Sequence, residues 1–288
     1  MTLSKDWTVK TVLEWTREYF RDAGINKARL EAEILLAHSL DVDRLDLYLE
    51  PDRPLTQEEL DQFKPLIKQR REGTPIEYVI GKVNFMGLTL KIDKRGLIPR
   101  PETEELVEQV LSAHRPQKDL KVLDLGTGSG AIAIALAKFL VNPSITAVDI
   151  DPDTLSLAKD NAQLNSAADR ITFLQSDWFA GVEGSFDLIV TNPPYVSARE
   201  LEDLDPKIKD HEPLQALDGG RDGLESIDRI VRNSHKFVNE SGYLYIEIGA
   251  NQGRDVKRIL RECDYSKVQL REDLAGRDRI VTATNPRG

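Results

Sequence analysis

The chain has 288 residues, with 39 Lys or Arg against 49 Asp or Glu, a formal net charge of −10. That length holds one large or two modest domains, and the acidic balance argues against a surface that grips nucleic acid by charge alone, because phosphate contacts need clustered Lys and Arg. The single cysteine, Cys263, rules out an intramolecular disulfide and fits a reducing cytosol.

Met1 to Lys10 is polar and charged, with no apolar stretch behind it, so no signal peptide is predicted. The longest apolar stretch, Ala131 to Val141, contains Lys138 and is too short to span a bilayer. A soluble, cytoplasmic protein with no membrane partner is the expectation. His38, His114, His211 and His235 are scattered without Cys partners or helical pairing, so no metal site is predicted.

From Thr8 to about Gly73 the pattern is helical. Val9, Val12, Leu13, Trp15, Thr16, Tyr19 and Phe20 recur at the spacing of one helix face, and Gly24 is a plausible stop. Leu30, Ile34, Leu35, Ala37 and His38 mark a second helix. A third starts at the capping sequence Thr56-Gln57-Glu58-Glu59 and runs through Leu60, Phe63 and Ile67, with Pro65 expected to kink or limit it. Lys64, Lys68, Arg70 and Arg71 cluster there, either as a partner-facing patch or as a solvated helix face. A small helical domain is predicted over 1–80.

Residues 83–93 alternate as a strand pair turning near Gly87, and a β-hairpin linker is predicted over 81–96. Pro99 and Pro101 then precede an acidic first turn, Glu102 to Glu105, and an apolar helix through Leu106, Val107, Val110 and Leu111. Acids at a helix start oppose its dipole favourably, so structure alone explains much of this segment.

After Pro116 the rhythm becomes strand, glycine turn, helix, strand. Strands are predicted at 120–125, 145–150, 171–176, 186–191, 243–248, 267–272 and 279–284, with helices beginning near 130, 153, 223 and 252. Alternating apolar runs and helices indicate a mostly parallel, doubly wound α/β sheet over 97–288. The last two strands are joined by too short a link for a helical crossover and should pair antiparallel.

The first of these strands ends in Asp124-Leu125-Gly126-Thr127-Gly128-Ser129-Gly130, a nucleotide-type cofactor loop at the carboxyl edge of a sheet. Gly126, Thr127, Gly128, Ser129 and Gly130 are predicted to contact the cofactor. The spacing Gly126-x-Gly128-x-x-Ala131 also satisfies a dinucleotide fingerprint. Asp149, at the end of the second strand, is placed to accept hydrogen bonds from ribose hydroxyls, or else to cap a helix with Asp151-Pro152-Asp153. Asp124 would set a negative charge near the cofactor, which suits a sulfonium and is unwelcome beside a pyrophosphate. Asp177 can take an adenine amino proton and Trp178 can cover a ring, or serve as core. Together these favour S-adenosylmethionine, leaving S-adenosylhomocysteine, over a nicotinamide dinucleotide.

Asn192-Pro193-Pro194-Tyr195 closes the strand Phe186 to Thr191. An amino nitrogen conjugated to a carbonyl or ring is planar and offers two N–H donors. The Asn192 side-chain oxygen and the Pro193 carbonyl can accept both, a proline aims its carbonyl from a stiff backbone, and Tyr195 offers a ring face. Asn192, Pro193 and Tyr195 are the candidate catalytic residues, with Pro194 beside them in substrate binding and Asn192 near the cofactor. Asn-Pro-Pro also simply stops strands. An amino-methylase acting on nucleobases uses the same planar group, a nicotinamide-dependent oxidoreductase uses a similar glycine loop, and a catalytically silent module could keep the pocket.

Ile98 to Glu104, Asp124 to Gly130, Gln175 to Phe179 and Asn192 to Tyr195, in that order, resemble the motifs of the PrmC/HemK family of protein-(glutamine-N5) methyltransferases. Glu212 to Leu217, Asp218 to Leu224 and Glu247-Ile248-Gly249 are similar to later family segments. The resemblance implies a Rossmann-like, seven-stranded S-adenosylmethionine-dependent methyltransferase domain preceded by a small helical domain that helps hold the substrate. It also implies transfer to the glutamine of the Gly-Gly-Gln tip of class I peptide chain release factors, modulating translation termination, with no direct nucleic-acid substrate.

Overall fold

A computed structural model of the chain describes residues 7–204, 209 and 211–285; the ends of the predicted first and last domains, 1–6 and 286–288, lie outside the described residues. The chain divides into two compact units, Met1–Gly81 and Lys82–Gly288.

The first unit is helical: α1 (Val9–Asp22), α2 (Ala28–Leu40), α3 (Gln57–Arg71) and the short α4 (Ile76–Ile80). Both long predicted starts carry reciprocal caps. Thr8 exchanges hydrogen bonds with Thr11 at the head of α1, and Thr56 with Glu59 at the head of α3, an arrangement worth about 0.5–2 kcal/mol at each cap. Val12, Phe20, Leu35, Leu36, Phe63 and Ile67 fill the core. Pro65 does not end α3, which continues to Arg71. The basic cluster on α3 is engaged within its own unit. Lys64 pairs with Asp61 at 2.8 Å, Lys68 with Glu72 at 3.8 Å, Arg70 with Glu31 at 2.5 Å, and Arg71 lies over the Tyr19 ring, 4.2 Å from its centre. Trp15, placed by periodicity on the buried face, is instead 45% exposed and stacked on Tyr19.

The second unit opens with the hairpin β1 (Lys82–Phe85) and β2 (Leu88–Lys91). Met86 and Gly87 both have positive φ, 53° and 76°, the backbone of a two-residue turn that matches strand twist. The hairpin belongs to the second unit and is not a free linker. Phe85 and Leu90 are buried in its core, and Asn161 both donates to and accepts from the Lys91 backbone.

The remainder is a seven-stranded sheet of β3 (Lys121–Leu125), β4 (Ser144–Asp149), β5 (Ile171–Gln175), β6 (Phe186–Thr191), β7 (Val238–Glu247), β8 (Ser266–Glu272) and β9 (Asp278–Thr284), ordered β5-β4-β3-β6-β7-β9-β8. β9 alone runs against its neighbours; the other pairings among β3 to β7 are parallel. Helices α5 (Pro101–His114), α6 (Ala131–Phe139), α7 (Pro152–Leu164) and the short α8 (Ala198–Asp203) precede two more, Glu225–Ser234 and Gly253–Glu262. Two apolar clusters, one containing Val122, Ile134 and Val190, the other Leu123, Ile189 and Ile246, reflect the alternation of side chains along each strand. The strand order reverses between β3 and β6, so their carboxyl ends diverge into a crevice, the place where such sheets bind ligands. No helix among the described residues is long and apolar enough to cross a membrane.

Candidate active site

The glycine loop leaves β3 at Leu125 and enters α6 at Ala131. Gly130 has φ +84°, and a Cβ there would come within 3.2 Å of Ala158 Cβ, so only glycine lets α6 start this close to α7. Asp124, without exposed surface, ties the turn down: its Oδ2 accepts from the Thr127 hydroxyl at 2.7 Å and from the Ala133 amide at 3.1 Å. Burial pushes this carboxyl up to about 7, and its Oδ1 has no protein partner. Asp124 does not line the cavity beside the loop. The charge expected from it near the cofactor is therefore supplied by other residues, and its own task is to hold the loop.

That cavity measures about 340 Å³ and is lined by Gly126, Thr127, Gly128 and Ser129 on one side and by Asp149, Asp177, Trp178, Asn192 and Pro194 on the others. Asp149 Oδ2 accepts from the Gly128 amide at 2.9 Å, and Oδ1 from the Asp151 amide at 3.1 Å, which leaves each oxygen a lone pair for an incoming hydroxyl. Burial raises its carboxyl. The capping role falls to Asp151, whose side chain accepts from the Asp153 amide at the head of α7. Trp178 adopts φ +51°, and its ring lies 3.5 Å from where a Cβ on Gly126 would stand, closing the cavity floor while also packing on the second core cluster. Asp177 is half exposed and accepts from Arg229 at 2.6 Å.

At the end of β6 the Thr191 hydroxyl donates to the Leu125 carbonyl at 2.8 Å, which sets Asn192 directly beside the glycine loop. Asn192 Nδ2 donates to Thr103 Oγ1 at 3.0 Å, and Thr103 in turn donates to Glu247 Oε2 at 2.7 Å. Pro193 is buried, and neither it nor Gly130 lines the cavity. Tyr195, expected to offer its ring to a substrate, is also outside the lining. Its hydroxyl donates to Glu247 Oε1 at 3.3 Å and accepts from Arg279 at 3.5 Å, and its carbonyl accepts from Gln252 at 2.9 Å. Burial raises the phenol well above its ordinary value.

The structure thus gathers Gly126 to Ser129, Asp149, Asp177, Trp178, Asn192 and Pro194 around one space, and adds Thr103 to its wall and Glu247, Gln252 and Arg279 behind it. Sequence reasoning gave those four no role. A glutamate inside the apolar run Leu244-Tyr245-Ile246-Glu247-Ile248 was a readable signal, because an acid buried in a central strand requires partners. Arg100, a cavity residue, was also passed over; it donates to the buried Glu212 at 2.6 Å. No group of His, Cys, Asp and Glu suited to a metal occurs among the described residues.

The seven-stranded, Rossmann-like sheet with a cavity at its switch point is a fold shared with solved methyltransferases. A solved methyltransferase from Pyrococcus furiosus superposes with a TM-score of 0.53 at 20% identity, over 69% of this chain and 90% of that one. The T. Thermophilus 16S rRNA N2 G1207 methyltransferase does so with a TM-score of 0.50 at 17% identity, over 71% of this chain and 49% of that one. Family models described as "PrmC N-terminal domain" and "Methyltransferase small domain" match residues 11–81 and 103–205. The chain is 40% identical over 284 residues to the release factor glutamine methyltransferase of Rhodopirellula baltica, and 38% over 276 residues to that of Geobacter sulfurreducens, each covering 96% of both chains. It belongs to the release factor glutamine methyltransferase family and is an enzyme.

Proposed function

We propose that the protein moves a methyl group from S-adenosylmethionine to the N5 side-chain amide nitrogen of the glutamine in the Gly-Gly-Gln motif of class I peptide chain release factors, modulating translation termination. The observation that carries this reading is the state of Asn192. One hydrogen of its Nδ2 goes to Thr103, an orientation that turns Oδ1 away from that hydroxyl and leaves the oxygen to accept from a planar –NH2 at the cavity that Asn192 lines.

The cavity residues fit the cofactor. Asp149, Asp151, Asp177 and Asp218 line the cavity, against Arg95 and Arg100, which pair with Asp93 and Glu212. Such a lining suits a cationic sulfonium and disfavours a pyrophosphate. When bound, S-adenosylmethionine supplies an electrophilic methyl carbon. Asp149 would hold the ribose hydroxyls, Trp178 and Asp177 the adenine, and Gly126 to Ser129 would let the cofactor approach the backbone, with Gly130 letting α6 start where it does. Asn192 Oδ1 and the Pro193 carbonyl would accept the two amide protons of the glutamine, and stabilise the positive charge that grows on its nitrogen. Tyr195 would act from behind, through Glu247, and Pro194 would border the substrate. Aligning two bound reactants in this way is worth roughly 7–11 kcal/mol.

Residues 1–80 would form the domain that helps hold the release factor, and the acidic charge of −10 supports a protein substrate over a nucleic acid. The place of action would be the cytoplasm, without a membrane partner. Incubation with isotope-labelled cofactor and a release factor, followed by mass spectrometry, tests the reading: the label is expected on the Gly-Gly-Gln glutamine and is expected to survive nuclease treatment. Label on a nucleobase, or on a different side chain, would overturn it.

A further inference from the structure

Glu247 ends β7, the strand beside the one that leads into Asn192, and has no exposed surface. Both its oxygens are used, Oε2 by the Thr103 hydroxyl and Oε1 by the Tyr195 hydroxyl. A threonine hydroxyl owns one proton. Once that proton is committed to a carboxylate, Thr103 Oγ1 can only accept from Asn192, so the atom 3.0 Å away must carry hydrogen. The orientation of an asparagine amide is otherwise ambiguous, because its oxygen and nitrogen have nearly the same shape. Here the hydrogen-bond chain decides it.

We propose that Glu247 and Thr103 are positioning residues that lock the Asn192 amide with its oxygen toward the substrate, so that the acceptor character of the clamp is set by a buried carboxylate that touches neither reactant. This rests on Asn192 being the acceptor for a substrate amide. Loss of the carboxylate charge reverses the chain. A protonated Glu247 donates to Thr103, Thr103 then donates to Asn192, and the amide turns to offer that donor its oxygen. Nδ2 is left facing the substrate –NH2, a donor against a donor.

The surroundings place that reversal near neutrality. Burial pushes the Glu247 carboxyl up to about 7, against the hydrogen bond from Thr103, the charge of Arg279 and the bond from Tyr195, while Glu102 adds to the rise. Arg279 on β9 is itself shared with Asp273, and Arg277 lies between Asp273 and Glu102, so the charges around Glu247 come from α5, β9 and the link before β9.

The test measures cofactor affinity by calorimetry, then kcat, KM and pH profile on a glutamine-bearing peptide, for the wild type, Thr103→Val, Thr103→Ser, Glu247→Gln and Asn192→Ala. Thr103→Val keeps the shape and removes the hydroxyl; it is expected to bind cofactor normally and to lose about tenfold in kcat, with Thr103→Ser restoring most of it. Wild-type kcat is expected to fall as pH drops through about 7, whereas Glu247→Gln, which does not titrate, should lose that acid limb. Wild-type turnover in Thr103→Val, equal loss in the valine and serine variants, or an acid limb unchanged in position and depth in Glu247→Gln would each overturn the proposal. If Asn192→Ala turns over normally, the reading of Asn192 itself fails; if it is inactive while Thr103→Val is unimpaired, only the positioning role fails.

Discussion

Single residues at this site are partitioned between holding the protein's own loop and meeting a ligand, and the partition follows from what each carboxylate already bonds. Asp149 keeps lone pairs toward the cavity while anchoring Gly128 and Asp151. Asp149→Ala should weaken cofactor affinity by roughly tenfold or more, since a charged acceptor is worth about 1.5–3 kcal/mol; unchanged affinity by calorimetry would contradict its role. Asp124 faces inward. Its folded carboxyl is raised from 3.8 to about 7, so the stability it contributes is complete below about 3.8 and is lost as pH rises to about 7. In urea unfolding, the stability of the wild type relative to Asp124→Asn should therefore decline between pH 4 and pH 7 and level off above. A difference independent of pH would show that Asp124 is not the buried, raised acid described here. At this scale the sequence was partly legible. The glycine loop, Asp149 and Asn192 were singled out by local pattern and spacing, and the fold brings them to one cavity. Glu247, Thr103 and Arg279 are brought to Asn192 and Tyr195 only by the folding of β7, α5 and β9 around β6, a long-range convergence that no local window contains.

Among elements, the segment after the clamp shows how backbone proximity sets composition. Gly219 and Gly223 sit against the Tyr195 backbone. A Cβ on Gly219 would stand 2.7 Å from Tyr195 Cα, and one on Gly223, where φ is +77°, would overlap the Tyr195 carbonyl and come within 2.7 Å of Gln252 Nε2. The glycines of 218–223 therefore allow a second loop to clasp the first, with Gln252 bridging the Tyr195 and Gly223 carbonyls. Gly223→Ala should cost at least ~1 kcal/mol from backbone strain alone and reduce turnover by displacing the clamp; full activity with wild-type stability would mean the clasp is dispensable. Motif resemblance flagged this segment in the sequence, but the reason for its glycines, contact with a backbone more than twenty residues away, could not be read from it. Strand positions were legible because buried parallel strands are near-continuous apolar runs, most of them separated by helices, although none lies between β5 and β6. Trp15 was misplaced because one helix periodicity fits two adjacent faces, and the packing of α2 chose the one carrying Val12, Thr16 and Phe20.

For the molecule as a whole, the two compact units put the hairpin with the sheet. A fragment beginning at residue 82 keeps Phe85 and Leu90 in the core and the Lys91 bonds to Asn161; one beginning at 97 loses all of these. The shorter fragment should be less stable by roughly 3–5 kcal/mol for the phenylalanine alone, read as a lower urea midpoint. Equal midpoints would return the hairpin to the role of a linker. The doubly wound architecture itself was legible from the alternation of strand and helix. The end of the helical domain was legible to within one residue, 80 against 81, whereas the hairpin's place in the second unit was not, because β1 and β2 carry too few residues to reveal which core they bury.

The proposed transfer requires a clamp of hydrogen-bond acceptors at the carboxyl end of β6 that would hold a planar amide beside the cavity of the glycine loop. Its most direct measurement compares the wild type with Asn192→Ala, mapping transferred label by mass spectrometry and cofactor affinity by calorimetry on the same preparations. The prediction is label on the glutamine side-chain nitrogen in the wild type, a loss of turnover of about a hundredfold or more in the variant, and cofactor affinity close to wild type in both. Wild-type labelling by Asn192→Ala would contradict it.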